Sequence, residues 1–259
     1  MIEIRHKSIH NGQSIQDAYD DLYQERELRM RDSFYLWLLE LLNLRPGSVV
    51  VDVACGNGRL VEIAKQQGFA ALGLEIAWQG IAHAVAAEPS AGWLLADGHE
   101  IPFADSSVDA VYSIGSLEHY DAPFAGVAEI ARVLKPSGQA CVLLPNTFGL
   151  FGNIGHVAAT GEVFDDGQPR QRYATRGTWE AMLNSGGLVA ERVIGWGEVN
   201  RPRTRADALW LARQPQRVVR AALATLLPVN LANQLVYLCR KAAPGSRTDA
   251  DMYVPTFPQ

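Results

Sequence analysis

A short glycine-rich turn is the first candidate binding site in the sequence. Residues 52–60 read DVACGNGRL, so Gly56 and Gly58 follow a predicted strand and precede a predicted helix. Glycine has no Cβ, and the backbone can therefore turn sharply here and approach a ligand closely. The positive N-terminal end of the following helix would face the same point. An ordinary tight connection that binds nothing would look the same, so the turn needs support from other residues.

Carboxylates at two further strand ends favour a nucleoside ligand. Glu75 ends a predicted second strand about 20 residues after the turn, where a carboxylate can accept hydrogen bonds from both ribose hydroxyls. Asp97, followed by Gly98, ends a third strand and could accept a hydrogen bond from an exocyclic amine such as adenine N6. The alternatives are a solvated charge at position 75 and a common turn dipeptide at 97–98. Since the carboxyl ends of neighbouring parallel strands meet at one edge of a sheet, we predict one shared site.

The ligand is predicted to be a mononucleoside. The third glycine of the dinucleotide-binding pattern G-x-G-x-x-G would fall at position 61, where the chain has Val61. Close packing of the helix against a pyrophosphate is therefore not specified.

Hydrophobic patterns predict the elements that would hold these residues. The β-branched run at 49–53 predicts a strand that is buried on both faces, which is typical of parallel sheets. Further strands are predicted over 70–75, 92–96, 108–114, 139–144, 188–194 and 235–239, and they alternate with helices over 60–67, 79–87, 122–134 and 178–185. A turn is predicted at 135–138. This alternation predicts a doubly wound α/β sheet with right-handed connections.

The regions around this core give the domain organisation. Residues 17–44 contain no Gly or Pro and predict one continuous helix within an N-terminal helical cap over 1–48. Residues 49–196 are interpreted as the ligand-binding core, with a covering insertion at about 146–176 that is long for a connection. Residues 197–259 are interpreted as a basic helical insertion, the last strand and a C-terminal tail.

Composition limits the possible classes of protein. The chain has 259 residues, 48% of them hydrophobic and 20% charged, as in ordinary globular proteins. A net charge of −5 argues against a general nucleic-acid-binding protein. The three cysteines, Cys55, Cys141 and Cys239, are far apart and predict neither a disulfide framework nor a zinc site. No metal site is suggested, and the first ten residues lack the apolar run of a signal peptide, so we expect a cytoplasmic protein.

Five ordered segments between residues 49 and 145 carry a resemblance to a known family. They are 49–58 (VVVDVACGNG), 73–75 (GLE), 96–103 (ADGHEIPF), 108–113 with 117–119 (VDAVYS and LEH) and 129–138 (EIARVLKPSG). The chain resembles the class I S-adenosylmethionine-dependent methyltransferases, in the small-molecule and lipid branch (methyltransferase type 11) that includes the ubiquinone and menaquinone methyltransferases. It departs from the family at Ala54, where the family usually has its first glycine; a small residue still permits the turn.

The resemblance implies a fold and a reaction. The fold would be a Rossmann-like, mostly parallel sheet of seven strands with an antiparallel last strand and helices on both faces. The reaction would be transfer of a methyl group from S-adenosylmethionine to a small-molecule or lipid- or glycan-linked acceptor by in-line displacement, with S-adenosylhomocysteine as the product.

The resemblance also implies roles for individual residues. The loop at 54–58 would pass under the methionine part of the cofactor, Glu75 would hold the ribose, Ile76 would pack on the adenine, and Asp97 with the Gly98 amide would read the adenine edge. Residues 113–115 would offer carbonyls to the methionine ammonium, and Tyr19 and Tyr23 would close over the cofactor or simply pack within the first helix. The full implied cofactor-binding set is Tyr19, Tyr23, Asp52, Ala54, Cys55, Gly56, Gly58, Glu75, Ile76, Asp97, Gly98, His99, Ser113, Ile114 and Gly115.

His119 is the candidate catalytic residue. It lies just past the predicted fourth strand on the cofactor side, where a general base would help a hydroxyl or phenol acceptor. A purely structural histidine is the alternative, and His156 in the covering insertion is a weaker candidate for the same role. Two other functions remain open: a nicotinamide-dependent oxidoreductase, against which Val61 and the Asp97–Gly98 pair argue, and a non-catalytic module that binds S-adenosylmethionine.

A basic segment near the C-terminus predicts an anionic partner. Residues 201–247 contain nine basic side chains and one acidic, which leaves the rest of the chain strongly negative. Six arginines precede an uncharged run at 221–239 that polar residues interrupt, so a transmembrane helix is not predicted. The segment could rest on an anionic membrane surface or hold an anionic acceptor. The alternative is a solvated helical insertion at the edge of the sheet.

Overall fold

The computed structural model describes residues 1–5, 14–26, 28–197 and 199–243. Its strands are β1 (Ile2–Arg5), β2 (Val49–Val53), β3 (Ala70–Glu75), β4 (Gly92–Leu95), β5 (Val108–Ile114), β6 (Leu134–Pro145), β7 (Arg170–Tyr173), β8 (Leu188–Trp196) and β9 (Gln234–Lys241). Its α-helices are α1 (Ile15–Glu25), α2 (Asp32–Leu41), α3 (Arg59–Gln66), α4 (Trp78–Ala87), α5 (Pro123–Val133), α6 (Gly155–Thr160), α7 (Arg176–Ser185), α8 (Arg205–Ala212) and α9 (Pro215–Ala224). Short 3-10 turns lie at Leu117–His119 and Val229–Leu231, and a π-helical turn at Leu150–Ile154.

Seven strands form the central sheet, in the order β4-β3-β2-β5-β6-β9-β8. Neighbours from β4 to β6 are parallel, whereas β9 is antiparallel to both β6 and β8. The predicted doubly wound, mostly parallel sheet with an antiparallel last strand is therefore confirmed. The order reverses between β2 and β5, which opens a crevice at the carboxyl ends of these strands.

Burial on both faces explains why four of the five residues of β2 are valines. Val50, Val51 and Val53 are at most 1% exposed. One face of the sheet packs against α5 and α7, where Trp179 is fully buried, and the other packs against α2 and α3. The predicted turn at 135–138 is an irregularity inside the longer β6, because the pairing of β5 with β6 shifts there from Val108–Leu134 to Ala110–Gln139.

The prediction of one continuous helix over 17–44 was wrong. Helix α1 ends at Arg26, which has an extended backbone (φ −150°, ψ 150°), and α2 starts after Arg31, which is also extended. The guanidinium of Arg26 donates to the carbonyl of Asp166 at 2.7 Å. The break lets α1 lie over the carboxyl edge of the sheet while α2 packs into the core.

The N-terminal cap also contains a strand that the sequence did not predict. β1 pairs antiparallel with β7 of the covering insertion, from Ile2–Tyr173 to Arg5–Arg170. The Arg172 guanidinium, 1% exposed at its side chain, donates to Glu3 at 2.6 Å and also to the carbonyls of Glu118 and Tyr120. This two-stranded ribbon ties the covering insertion to the 3-10 turn that carries His119.

The basic insertion contains the helices α8 and α9 followed by β9, while position 198 and the tail at 244–259 lie outside the described residues. Helix α8 begins with a capping box, in which Thr204 and Asp207 bond each other's backbone amides. No helix in the described part of the chain combines the length and hydropathy needed to cross a bilayer.

Candidate active site

A cavity of about 860 Å³ lies at the carboxyl ends of the parallel strands, beneath α1 and the covering insertion. Its volume falls in the usual range of small-molecule sites, roughly 300–1,000 Å³. His119 and all residues of the implied cofactor-binding set except Gly58 and Ser113 line it, whereas the weaker candidate His156 does not. The three strand ends at 54–56, 75–76 and 96–98 therefore converge on one space, as the sequence predicted.

The first strand end has a left-handed backbone. Ala54 (φ 59°) and Gly56 (φ 52°) both lie in the left-handed region, and the amide of Gly56 points back across the crevice to Glu75. Asp52, just before the turn, is 5% exposed and also lines the cavity. Burial, and then the neighbouring Glu75 carboxylate, raise the pKa of the Asp52 carboxyl.

Glu75 holds the turn together from the second strand end. Its Oε2 accepts from the Gly56 amide at 2.9 Å, and its Oε1 accepts from the amides of Ile76 at 2.9 Å and Ala77 at 3.1 Å. Burial raises the pKa of this carboxyl, but the three backbone donors and the Tyr23 hydroxyl act in the opposite direction. Most of the acceptor capacity of the carboxylate is thus already used by the protein.

The two tyrosines of α1 form the roof of the cavity. Tyr23 reaches Glu75, and its hydroxyl stands 2.9 Å from where a Cβ on Gly56 would be. The Tyr19 hydroxyl donates to Gln168 Oε1 at 3.2 Å, which connects α1 to the covering insertion. Burial raises the pKa of both phenols, so both stay protonated.

At the third strand end, hydrogen bonds hold His99 in one tautomer. His99 Nε2 accepts from the Ala122 amide at 3.3 Å, so in the neutral ring Nδ1 carries the proton and donates to Asp97 Oδ1 at 2.7 Å. Tyr120 stacks near the His99 ring, with centroids 4.7 Å apart. Its hydroxyl lies only 1.9 Å from where a Cβ on Gly98 would be, so the glycine lets the tyrosine approach the strand end.

Two predicted site residues, Gly58 and Ser113, lie outside the cavity lining. Ser113 is fully buried, and its hydroxyl bonds the Ser116 hydroxyl at 2.7 Å. A Cβ on Gly58 would stand 2.3 Å from the Trp93 ring, so this glycine makes room for an indole from β4. Gly58 therefore supports the turn from behind and does not face the cavity.

Replacing Gly58 is expected to destabilise the fold. Gly58→Ala should lower the free energy of unfolding by about 2–4 kcal/mol, since it adds an overpacked contact with Trp93 to the strain of φ 77°. Gly161→Ala is the matched control, because Gly161 has φ 81° with nothing within 4 Å of the added Cβ. Urea denaturation without ligand measures both; equal losses would contradict the packing role of Gly58.

His119 is buried with one ring nitrogen anchored. Its Nδ1 hydrogen-bonds the carbonyl of Arg170, which can only accept, so Nδ1 is the protonated nitrogen and Nε2 is the basic one. Nε2 lies 3.8 Å from Glu118 Oε1. Burial lowers the pKa of His119 from its usual 6.5, and the imidazole is therefore neutral at pH 7.

Glu118 is a candidate functional residue that the sequence reasoning missed. It is 3% exposed and lines the cavity, its Oε2 has no hydrogen-bond partner among the described residues, and burial raises its pKa to about 8. In the sequence, only its position next to the candidate base His119 could have pointed to Glu118. Gln171 on β7 also lines the cavity with a buried, unpartnered Oε1, and nothing in the sequence pointed to it.

The buried Glu118 carboxyl is expected to make stability depend on pH. Its proton stays bound in the folded state up to about pH 8 but leaves the unfolded chain above about 4.5, so this group's contribution falls by about 1.4 kcal/mol per pH unit between these values. Glu118→Gln removes the titration. Guanidinium denaturation at pH 5 and pH 8 measures the free energy of unfolding of both proteins. We expect the stability of the variant relative to the wild type to increase from pH 5 to pH 8. The same difference in stability at both pH values would contradict the raised pKa.

Comparison with known proteins agrees with this arrangement. Residues 51–142 match the sequence profile of the family described as "Methyltransferase domain". This stretch contains most of β2, all of β3 to β5 and most of β6, with all three strand ends of the site. Residues 51–142 form a methyltransferase domain. Its cofactor is S-adenosylmethionine.

Three similar proteins illustrate the relationship. The 27-O-demethylrifamycin SV methyltransferase of Amycolatopsis mediterranei is 26% identical over 206 residues, which cover 74% of this chain and 72% of that protein. A demethylmenaquinone methyltransferase of Beutenbergia cavernae is 30% identical over 104 residues, covering 40% and 43%. Among solved structures, the methyltransferase bound to the Trm112 activator of Haloferax volcanii superposes with a TM-score of 0.61 at 17% identity, covering 89% of this chain and 98% of that one. The matched stretch spans less than half the length of several curated relatives.

The lining of the methyltransferase cavity suits this cofactor chemically. Glu75 and Asp97 offer carboxylate oxygens to ribose hydroxyls and an adenine amine, and Ile76 offers an apolar side chain to the base. The buried, unpartnered Glu118 Oε2 lies in the same cavity as Gly115, as an acceptor near the end expected to hold the methionine ammonium. One adjustment is required. Because Tyr23 already donates to Glu75, its hydroxyl must move or share the carboxylate when a ribose binds.

Proposed function

We propose that this methyltransferase transfers a methyl group to an oxygen atom of a small-molecule or lipid- or glycan-linked acceptor, with His119 as the proton acceptor. The observation that carries the proposal is the neutral, anchored His119 on the cavity wall, whose basic nitrogen is Nε2. A hydroxyl or phenol must lose a proton as it is methylated, so an oxygen acceptor calls for a base at the position of His119. A relative whose name specifies a 27-O-demethyl substrate supports oxygen as the acceptor atom.

The residues divide the work of the reaction. When bound, S-adenosylmethionine supplies a methyl carbon on a positively charged sulfur, and S-adenosylhomocysteine remains after transfer. The strand ends at Glu75 and Asp97 hold the nucleoside, and the tyrosines of α1 cover it. As the acceptor oxygen bonds the methyl carbon, its proton passes to His119 Nε2. Holding the reacting atoms in line is expected to contribute more than the base, roughly 7–11 kcal/mol.

Arg170 and Arg172, both on β7, hold His119 in place. The carbonyl of Arg170 holds His119 Nδ1, and the guanidinium of Arg172 holds the carbonyls on either side of His119. This geometry fixes the ring tautomer without a carboxylate at Nδ1. Neutral Glu118 beside Nε2 places no negative charge there at pH 7, since its pKa is raised to about 8.

Methyl transfer with a labelled cofactor tests the proposal. S-adenosylmethionine carrying a carbon-13 methyl group is incubated with the protein and a panel of phenols and aliphatic alcohols, each paired with its amine analogue. We expect the NMR signal of a methoxy carbon, and transfer mainly to the amine members would contradict the oxygen assignment. Binding of S-adenosylhomocysteine with no transfer to any member would favour a non-catalytic module, and preferential binding of NAD would favour an oxidoreductase.

A further inference from the structure

Four exposed arginines on and between α8 and α9 have no carboxylate partner among the residues that the structure describes. Arg205, Arg213, Arg217 and Arg220 are exposed, and none of them forms an ion pair with a carboxylate in the described part of the chain. Arg203 is different, since it pairs with Glu40. In a chain with a net charge of −5, a concentration of free positive charge on two adjacent helices points to an anionic partner.

The same helices expose large apolar side chains. Not one residue of α9 is buried, and the exposed fractions are 59% for Leu209, 44% for Val218, 57% for Val219, 46% for Leu223 and 80% for Leu226. Single exposed apolar residues are ordinary, but here four of the five fall between positions 218 and 226, within α9 and the turn that follows it. Trp210 lies between Arg31 and Arg217, whose guanidinium carbons stand 4.8 and 5.3 Å from the ring centroid.

A hollow of about 290 Å³ borders this surface and shares one lining residue with the active-site cavity. Arg217 and Arg220 line it together with Gln214, Gln216 and Phe151 of the covering insertion, and Asn233 lines both this hollow and the active-site cavity. Two guanidinium groups without carboxylate partners are well suited to bind a phosphate. The hollow thus places a candidate anion site beside the cavity where an acceptor would bind.

We propose that the α8–α9 surface docks on a membrane that contains anionic phospholipids, with a headgroup phosphate between Arg217 and Arg220. Charge complementarity and the exposed apolar residues both select this occupant. A nucleic acid or an acidic protein would match the arginines and would leave Leu226 and its neighbours in water. A bilayer accommodates both kinds of side chain, because arginine binds the headgroups while leucine and valine enter the acyl boundary. The proposal is independent of the methyl acceptor.

Vesicle flotation tests the docking surface. The full chain is mixed at low salt with vesicles of phosphatidylcholine alone or of phosphatidylcholine with phosphatidylglycerol. We expect flotation with the anionic vesicles only and its loss at high salt, because exposed charges are screened. Arg217→Glu/Arg220→Glu should lower the partition coefficient at least 25-fold, at about fivefold for each arginine removed. Leu226→Asp should lower it about tenfold with the arginines intact.

Arg176→Glu/Arg240→Glu is the matched control. It makes the same change in net charge at two arginines that lie outside the hollow and pair with Glu180 and Glu191. This variant should float like the wild type, and an equal loss would mean that net charge alone drives binding, which overturns the proposal. Absence of flotation at low salt would overturn it as well. So would displacement by inorganic phosphate together with unchanged flotation of Leu226→Asp, because the hollow would then be a site for a free anion.

Discussion

Replacing His119 by glutamine is expected to lower kcat for an oxygen acceptor by about 10²- to 10⁴-fold, with little change in the affinity for S-adenosylhomocysteine. Glutamine can keep a hydrogen bond to the Arg170 carbonyl but cannot take up a proton at neutral pH. The loss should therefore appear in the chemical step and spare cofactor binding. Single-turnover kinetics and isothermal titration calorimetry separate the two effects.

The pH profile distinguishes a base from a positioning residue. Below its pKa, His119 is protonated and cannot accept a proton, and burial lowers that pKa from the usual 6.5. The wild-type kcat/KM should therefore stay level down to a pH below 6.5 and then fall, while the variant should lack this limb. His156→Gln is the control, since His156 packs against Phe164 and does not line the cavity. If kcat/KM of the His119 variant falls at low pH as it does in the wild type, His119 is not the catalytic base.

Glu75→Gln is expected to weaken binding of S-adenosylhomocysteine by about 150-fold or more. The variant loses charge-assisted hydrogen bonds to the ribose, each worth about 1.5–3 kcal/mol, and turns an amide N–H toward one of the backbone donors of Gly56, Ile76 and Ala77. The turn itself should loosen, so stability without ligand should fall by about 1–3 kcal/mol. Calorimetry gives the affinity, and urea denaturation gives the stability.

The matched control for Glu75 is Glu100→Gln, which makes the same chemical change at an exposed position outside the cavity. It should change neither quantity measurably. If Glu75→Gln lowers stability but leaves the affinity within a few fold, Glu75 is a scaffold for the turn and the ribose binds elsewhere.

The core of the fold could be predicted because its signals are local. A strand buried on both faces is mostly apolar, and Val49–Val53 shows this with four valines in five letters around Asp52. The strand ends of the site follow directly, since Glu75 and Asp97 stand at the ends of such runs. The break at Arg26 could not be predicted in this way. No Gly or Pro marks it, and the partner of Arg26 is the carbonyl of Asp166, far along the chain.

The β1–β7 ribbon beside the site could not be predicted either, because it also depends on residues far apart in the chain. β1 and β7 pair across more than 160 residues, and neither four-residue strand has a pattern that stands out alone. Gln171 enters the cavity only because this pairing places β7 there. Gly58 is a different case. The sequence showed that a glycine is needed at this position, but the reason, close contact with a tryptophan from another strand, is visible only in the structure.

The buried link between Glu3 and Arg172 has a practical consequence for recombinant work. A fragment that lacks only the first five residues would keep every strand of the central sheet and both N-terminal helices. It would also leave a guanidinium without its carboxylate under the turn that carries His119. Good yield from such a fragment would therefore say little about whether its catalytic turn is intact, and a purification tag belongs at the opposite terminus.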